Sequence, residues 1–110
     1  MDVNGFVDCT PAFMGRDPQL LADLSKASGI HILTNTSLYK EPFLPKYAFE
    51  YSVDQLAGCW AHEIEDGIID ELVKDKLNLE VSFPIKAGFI KIAVNPGYIT
   101  LIQQKIVIAI

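Results

Sequence analysis

Ala87-Gly88-Phe89-Ile90-Lys91-Ile92-Ala93-Val94 is the stretch on which the fold turns. Pro84 stands before it and Asn95-Pro96-Gly97 closes it, so an apolar, β-branched run is bracketed by turn chemistry. That combination predicts a strand. Thr100-Leu101-Ile102-Gln103 follows in a capping-box spacing and predicts a helix running to Ile110. Strand, loop, helix is therefore the local order.

The same order recurs upstream. Gly5-Phe6-Val7-Asp8-Cys9 reads as a strand ended by Pro11. Asp17-Pro18 reads as a helix start, with Leu20, Leu21 and Leu24 on one face and Gly29 as the stop. Ile30 to Thr34 is the second strand. A long loop is expected from Asn35 to about Tyr51, carrying Pro42, Pro45, Tyr39, Phe43, Tyr47 and Phe49. Loops beyond about 12 residues in compact domains are usually functional or disordered, and the aromatic density argues against disorder. Ser52-Val53-Asp54-Gln55 is another capping box. The helix behind it should bury Leu56, Trp60 and Ile64 and turn Glu63, Glu65 and Asp66 outward. Gly67 interrupts it. Ile68 to Lys76 is expected to form a second helical piece, and Leu77 to Phe83 fits either state. Three βα units predict an α/β fold with a parallel sheet. Three strands cover a parallel sheet poorly, because both of its faces need helices. The apolar end Ile106 to Ile110 adds to the expectation of a piece of something larger.

Composition narrows the functions. Half of the 110 residues are hydrophobic and 21% are charged, a globular balance. Fourteen acidic residues against nine basic ones leave −5, which disfavours nucleic-acid partners. No run reaches the roughly 18 apolar residues of a membrane span, and the first residues show no leader pattern. Cys9 and Cys59 are too few for a disulfide scaffold and suit a reduced, cytoplasmic setting.

Lys91 needs explaining. Alternation puts Ile90, Ile92 and Val94 on one face and Phe89, Lys91 and Ala93 on the other. If the β-branched face packs on helices, Lys91 points into a sheet interior or a barrel lumen. A buried ammonium is costly unless paired, deprotonated or modified. Two readings stand at this point. The lysine snorkels to solvent or pairs with a carboxylate, or it is functional, as a Schiff-base former or a carbamylated metal ligand.

The residues also carry a resemblance. Val7-Asp8-Cys9-Thr10-Pro11, Gly15-Arg16-Asp17, the helix Leu20 to Ser25, Thr36-Ser37-Leu38-Tyr39, Glu63 to Ile68, and above all Ile85 to Ala93 resemble the phosphotriesterase family of the amidohydrolase superfamily. The phosphotriesterase-related, lactonase-like branch is the nearest in pattern. This implies a (β/α)8 TIM barrel with two divalent ions, zinc foremost, at the C-terminal strand ends. Residues 1–110 would be one fragment of that barrel, holding strands two to four. Lys91 would be the carbamylated lysine bridging both ions, and Tyr39 with Lys40 would bind substrate at the pocket mouth. The implied reaction is hydrolysis of an ester, lactone or phosphoester by a metal-activated hydroxide. The expected partners are a small-molecule substrate and, as assembly, a homodimer, with no nucleic acid and no membrane. The family's His-x-His pair and its later His, His and Asp ligands have no counterpart in these residues, and Leu79 to Pro84 departs from the family's approach to the lysine strand. The chain alone is therefore expected to be inactive. The alternative is a non-catalytic remnant or interaction module.

Weaker signals are set aside. His62-Glu63 fails the H-E-x-x-H pattern because position 66 is Asp. His31 between isoleucines reads as packing, and Cys9 shows no histidine partner for nucleophilic work. Arg16-Asp17 is expected to organise the loop and helix start after the first strand. A flavodoxin-like three-layer domain would also satisfy the element order, but no ligand motif accompanies it.

Overall fold

The structure is a computed structural model and describes residues 3–69 and 83–110. Its elements run β1 (Gly5–Val7), α1 (Pro18–Ser28), β2 (His31–Leu33), β3 (Asn35–Thr36), α2 (Tyr47–Glu50), α3 (Val53–Glu65), β4 (Phe89–Ile90) and α4 (Leu101–Ala109). β1 pairs with β2 in parallel, Gly5 opposite His31, and β3 pairs with β4 in parallel, Asn35 opposite Phe89. Successive carbonyls of a strand point to opposite edges. The Leu33 carbonyl accepts from Asp8 N at 2.8 Å, whereas the Thr34 and Thr36 carbonyls accept from Gly88 N at 2.8 Å and Lys91 N at 3.1 Å. The run 31–36 is thus flanked by β1 on one side and β4 on the other. Each βα unit lies beside the next in chain order.

Local chemistry sets the helix ends. The Asp17 carboxylate accepts from Leu20 N, Pro18 occupies the first turn, and Gly29 closes α1 at φ 74°, a left-handed conformation that favours glycine. Ser52 and Gln55 form the reciprocal capping box expected for α3. At α4, Thr100 caps Gln103 N, but the Gln103 side chain turns inward to other partners, so the expected box is half formed.

Three expectations are corrected. The stretch from Asn35 to Tyr51 is not one loop: it contains β3 and α2. α2 forms because Tyr47 and Ala48 have a core to enter and Lys105 Nζ donates to the Ala48 carbonyl at its end, at 2.8 Å. The run after Gly67 does not open as a helix: Ile68 N donates to Ile85 O and Phe83 N donates to Ile68 O, each at 2.8 Å. The remainder of that expected helix, and the ambiguous stretch up to position 82, lie outside the described residues. Most consequentially, Glu63 does not face outward. It is fully buried.

The core sits where α2, α3 and α4 meet the outer side of β3 and β4, built from Leu38, Tyr47, Leu56, Cys59, Trp60 and Ile106, with Ile92 packed against it. Burying each large apolar side chain contributes roughly 1.5–3 kcal/mol. Gly88 lies close to a neighbour: a Cβ there would stand 3.1 Å from Leu33 Cδ2, so a larger residue would need the Leu33 side chain to shift. The β1–β2–α1 side is barer. Leu20 and Leu24, expected to face the core, are exposed, as are Phe6 and Leu33, because among the described residues α1 packs on β2 with no further layer beyond it. No described helix is long and apolar enough to cross a membrane.

Candidate active site at the strand ends

The C-terminal ends of β1, β3 and β4 converge, and Lys91 lies where they meet. It follows β4 directly, and its Nζ donates to the Cys9 carbonyl just beyond β1, at 2.6 Å. The same Nζ stands 5.9 Å from the centre of the Tyr39 ring, and Lys40 Nζ stands 5.7 Å from that centre. The structure therefore brings Lys91, Tyr39 and Lys40 into one cluster from two separate loops. Cation–π contacts at that range are worth about 0.5–1 kcal/mol at exposed sites, enough to bias the side chains and too little to anchor them alone.

The anchoring comes from Glu41. Its main-chain carbonyl accepts from Asn95 Nδ2 at 2.9 Å, and its carboxylate accepts from Thr100 Oγ1 at 2.5 Å. Gln103, with its amide oriented to suit both neighbours, accepts from Glu41 N and donates to the Ala93 carbonyl, each at 3.1 Å. The loop carrying Tyr39 and Lys40 is thereby stapled to the loop that follows Lys91. Tyr39 also packs against Phe43, ring centres 5.7 Å apart. Ser37, just before this loop, has φ 92° although it is not glycine, and its buried hydroxyl has no hydrogen-bond partner among the described residues. Backbone strain of that kind collects at functional sites.

Beneath the cluster lies a buried polar network that the sequence reading missed. Arg16 Nη1 donates to the Asn35 carbonyl at 2.8 Å, and Nη2 reaches Glu63 Oε2 at 3.4 Å. Glu63 also accepts from Thr36 Oγ1 at 2.5 Å and from Ile69 N at 2.8 Å. Arg16 does organise the turn after β1, as expected, but through these long-range bonds. The signal for Glu63 was available. At about 100° per residue, Leu56 and Glu63 fall within about 20° of one another on the wheel, so Glu63 continues the buried stripe of Leu56, Cys59 and Trp60.

Neither β1 nor β4 has a further strand on its outer edge among the described residues, and no group of three or more His, Cys, Asp or Glu among them could hold a metal ion. Of the residues at the strand ends, Lys91 suits such a site, since its nitrogen already sits where β1 and β4 converge. The donor set fits one shared ligand and no more.

Comparison with known proteins places this geometry. A model of the phosphotriesterase family matches residues 2–110. The chain belongs to the phosphotriesterase family. It is 34% identical over 105 residues to an aryldialkylphosphatase of Saccharolobus solfataricus, covering 96% of this chain and 30% of that protein. It is 32% identical over 108 residues to the phosphotriesterase homology protein of Escherichia coli, covering 97% of this chain and 33% of the other. The crystal structure of that Escherichia coli protein, complexed with phosphate in its active site, superposes with a TM-score of 0.80 at 30% identity, over 97% of this chain and 33% of that one. The phosphotriesterase-family chain thus spans about a third of the length of these relatives. Its α/β arrangement of parallel strands matches a portion of that family's fold, which removes the flavodoxin-like alternative.

Proposed function

We propose that this chain is one portion of a metal-dependent hydrolase of the phosphotriesterase family, acting on a lactone, a carboxylic ester or a phosphoester. The observation that carries the proposal is the position of Lys91, whose nitrogen lies at the convergence of the strand ends, 2.6 Å from the Cys9 carbonyl and beside Tyr39. Carbamylated, Lys91 would offer two carboxylate-like oxygens, one to each of two divalent ions, with zinc the first to try. The ions would supply Lewis acidity toward a carbonyl or phosphoryl oxygen and lower the pKa of a water.

The chain's own residues do the remaining work assigned to it. Tyr39 supplies an aromatic wall against which an apolar part of the substrate lies. Lys40 offers an ammonium to a substrate carboxylate or phosphate. The Glu41 staple holds both over Lys91. The cytoplasm is the proposed setting, with Cys9 and Cys59 both free thiols.

The experiment uses the full-length protein. Lys91→Ala is expected to lose one or both metals by elemental analysis and to lose hydrolysis by orders of magnitude. A short carboxylic acid should restore part of the activity, its two carboxylate oxygens standing in for those of the carbamate. Lys91→Arg should not, because guanidinium stays protonated and forms no carbamate. Unchanged metal content and turnover in Lys91→Ala would refute the assignment.

A further inference from the structure

We propose that the buried Arg16–Glu63 pair is a positioning device for Lys91, fixing how far the end of β4 stands from the end of β1. Both side chains have no solvent exposure and lie 3.4 Å apart. Desolvating two charges is costly, and well-packed apolar residues of the same volume often serve stability equally well. What an ion pair provides that apolar residues cannot is directed reach.

That reach is traceable bond by bond. Asn35, whose carbonyl Arg16 holds at 2.8 Å, donates from its side-chain amide to the carbonyls of Asp8 at 3.1 Å and Thr10 at 3.0 Å. Those two carbonyls bracket Cys9, the residue on which the Lys91 ammonium rests. On the other side, Glu63 takes the Thr36 hydroxyl on its carboxylate and the Ala87 N–H on its main-chain carbonyl at 2.8 Å. Thr36 in turn accepts from Lys91 N at 3.1 Å. The pair therefore stands between two arms. One arm sets the carbonyl that meets the Lys91 nitrogen, and the other sets the backbone from which Lys91 extends. The run 31–36 already joins the two arms, since Asn35 and Thr36 are neighbours in the chain; the pair adds a second, side-chain tie from the turn after β1 to α3 and the approach to β4.

The value of this device for hydrolysis rests on the function proposed for Lys91, but the geometry is testable without it. Two variants of the full-length protein suffice. R16M/E63L replaces the ion pair with apolar side chains of similar length, and Thr36→Val removes one hydroxyl while keeping its shape. In the metal-free protein, acetylation of Lys91 by acetic anhydride is followed by mass spectrometry at fixed pH, against Lys46, whose side chain is 89% exposed. In the parent, Lys91 should react about tenfold more slowly than Lys46, as a held ammonium would. In either variant the gap should close to within about threefold at a temperature well below that variant's Tm, which falls because the buried partners left behind lose a hydrogen bond. A purely structural pair predicts instead that labelling of Lys91 stays slow wherever the variant is fully folded. With substrate and metal, kcat should fall by about 10²-fold in R16M/E63L with KM little changed, the signature of a misplaced group. Slow labelling of Lys91 in a folded Thr36→Val or R16M/E63L protein would overturn the positioning role, and Thr36→Val alone decides if the double variant does not fold. Loosened labelling with parental kcat would uphold the positioning and refute the function assigned to Lys91.

Discussion

Lys91 and Tyr39 meet because the segments that follow β4 and β3 bring both to the same point. Directly after β4, Lys91 has no carboxylate partner among the described residues; it finds a carbonyl at 2.6 Å and a ring face at 5.9 Å. Tyr39 is half-buried and its ring contacts are with Phe43 and the two ammonium groups, not with the main core. Tyr39→Ala in the full-length protein is therefore expected to lower kcat/KM by roughly tenfold while shifting stability by less than about 1 kcal/mol, since rim aromatics mainly place substrate. A large loss of Tm with unchanged kinetics per folded molecule would assign Tyr39 to packing.

At the scale of elements, the two loops that flank the site behave as one body because Glu41 ties them together. Glu41→Ala removes the Thr100 contact, and the substrate loop should then swing more freely. The expected outcome is a several-fold rise in KM with kcat less affected, checked by steady-state kinetics and by faster proteolysis near Pro42–Pro45. The caps on α1 and α3 were legible in the sequence because Asp17, Gly29, Ser52 and Gln55 act on neighbours three or four residues away. Ser52→Ala should cost about 1 kcal/mol of stability, the usual worth of an N-cap. β3 and α2 were not legible, since two strand residues show no alternation and a four-residue helix shows no period. Glu63 was misread for a different reason. The helical wheel sets it on the buried stripe, but its charge argues for solvent, and the partners that make a buried carboxylate tolerable, Thr36 and Arg16, lie 27 and 47 residues away, outside any local window. Of the candidate site, the strand leading to Lys91 was legible, but β4 spans only Phe89–Ile90 rather than the expected Ala87–Val94, so Lys91 follows the strand instead of lying within it, and the network beneath it was not legible.

For the whole molecule, the parallel order β1, then 31–36, then β4 lays three βα units side by side, and the packing is uneven. The α2–α3–α4 side closes over Trp60, which is 1% exposed, while Phe6 on the opposite side is 56% exposed. Exposed apolar surface of that extent, with Val7, Leu20, Leu24 and Leu33 beside it, promotes association. The 110-residue chain produced by itself should elute as aggregates or oligomers in size-exclusion chromatography and bind a hydrophobic dye. A monodisperse monomer with a cooperative melt would contradict this. Whether Lys91 bridges metals is read from a crystal structure of the full-length protein grown with zinc. The account predicts density extending beyond Lys91 Nζ as a carboxylate whose two oxygens each meet one ion. Two ions bound elsewhere, with Lys91 still an unmodified ammonium on the Cys9 carbonyl, would contradict it.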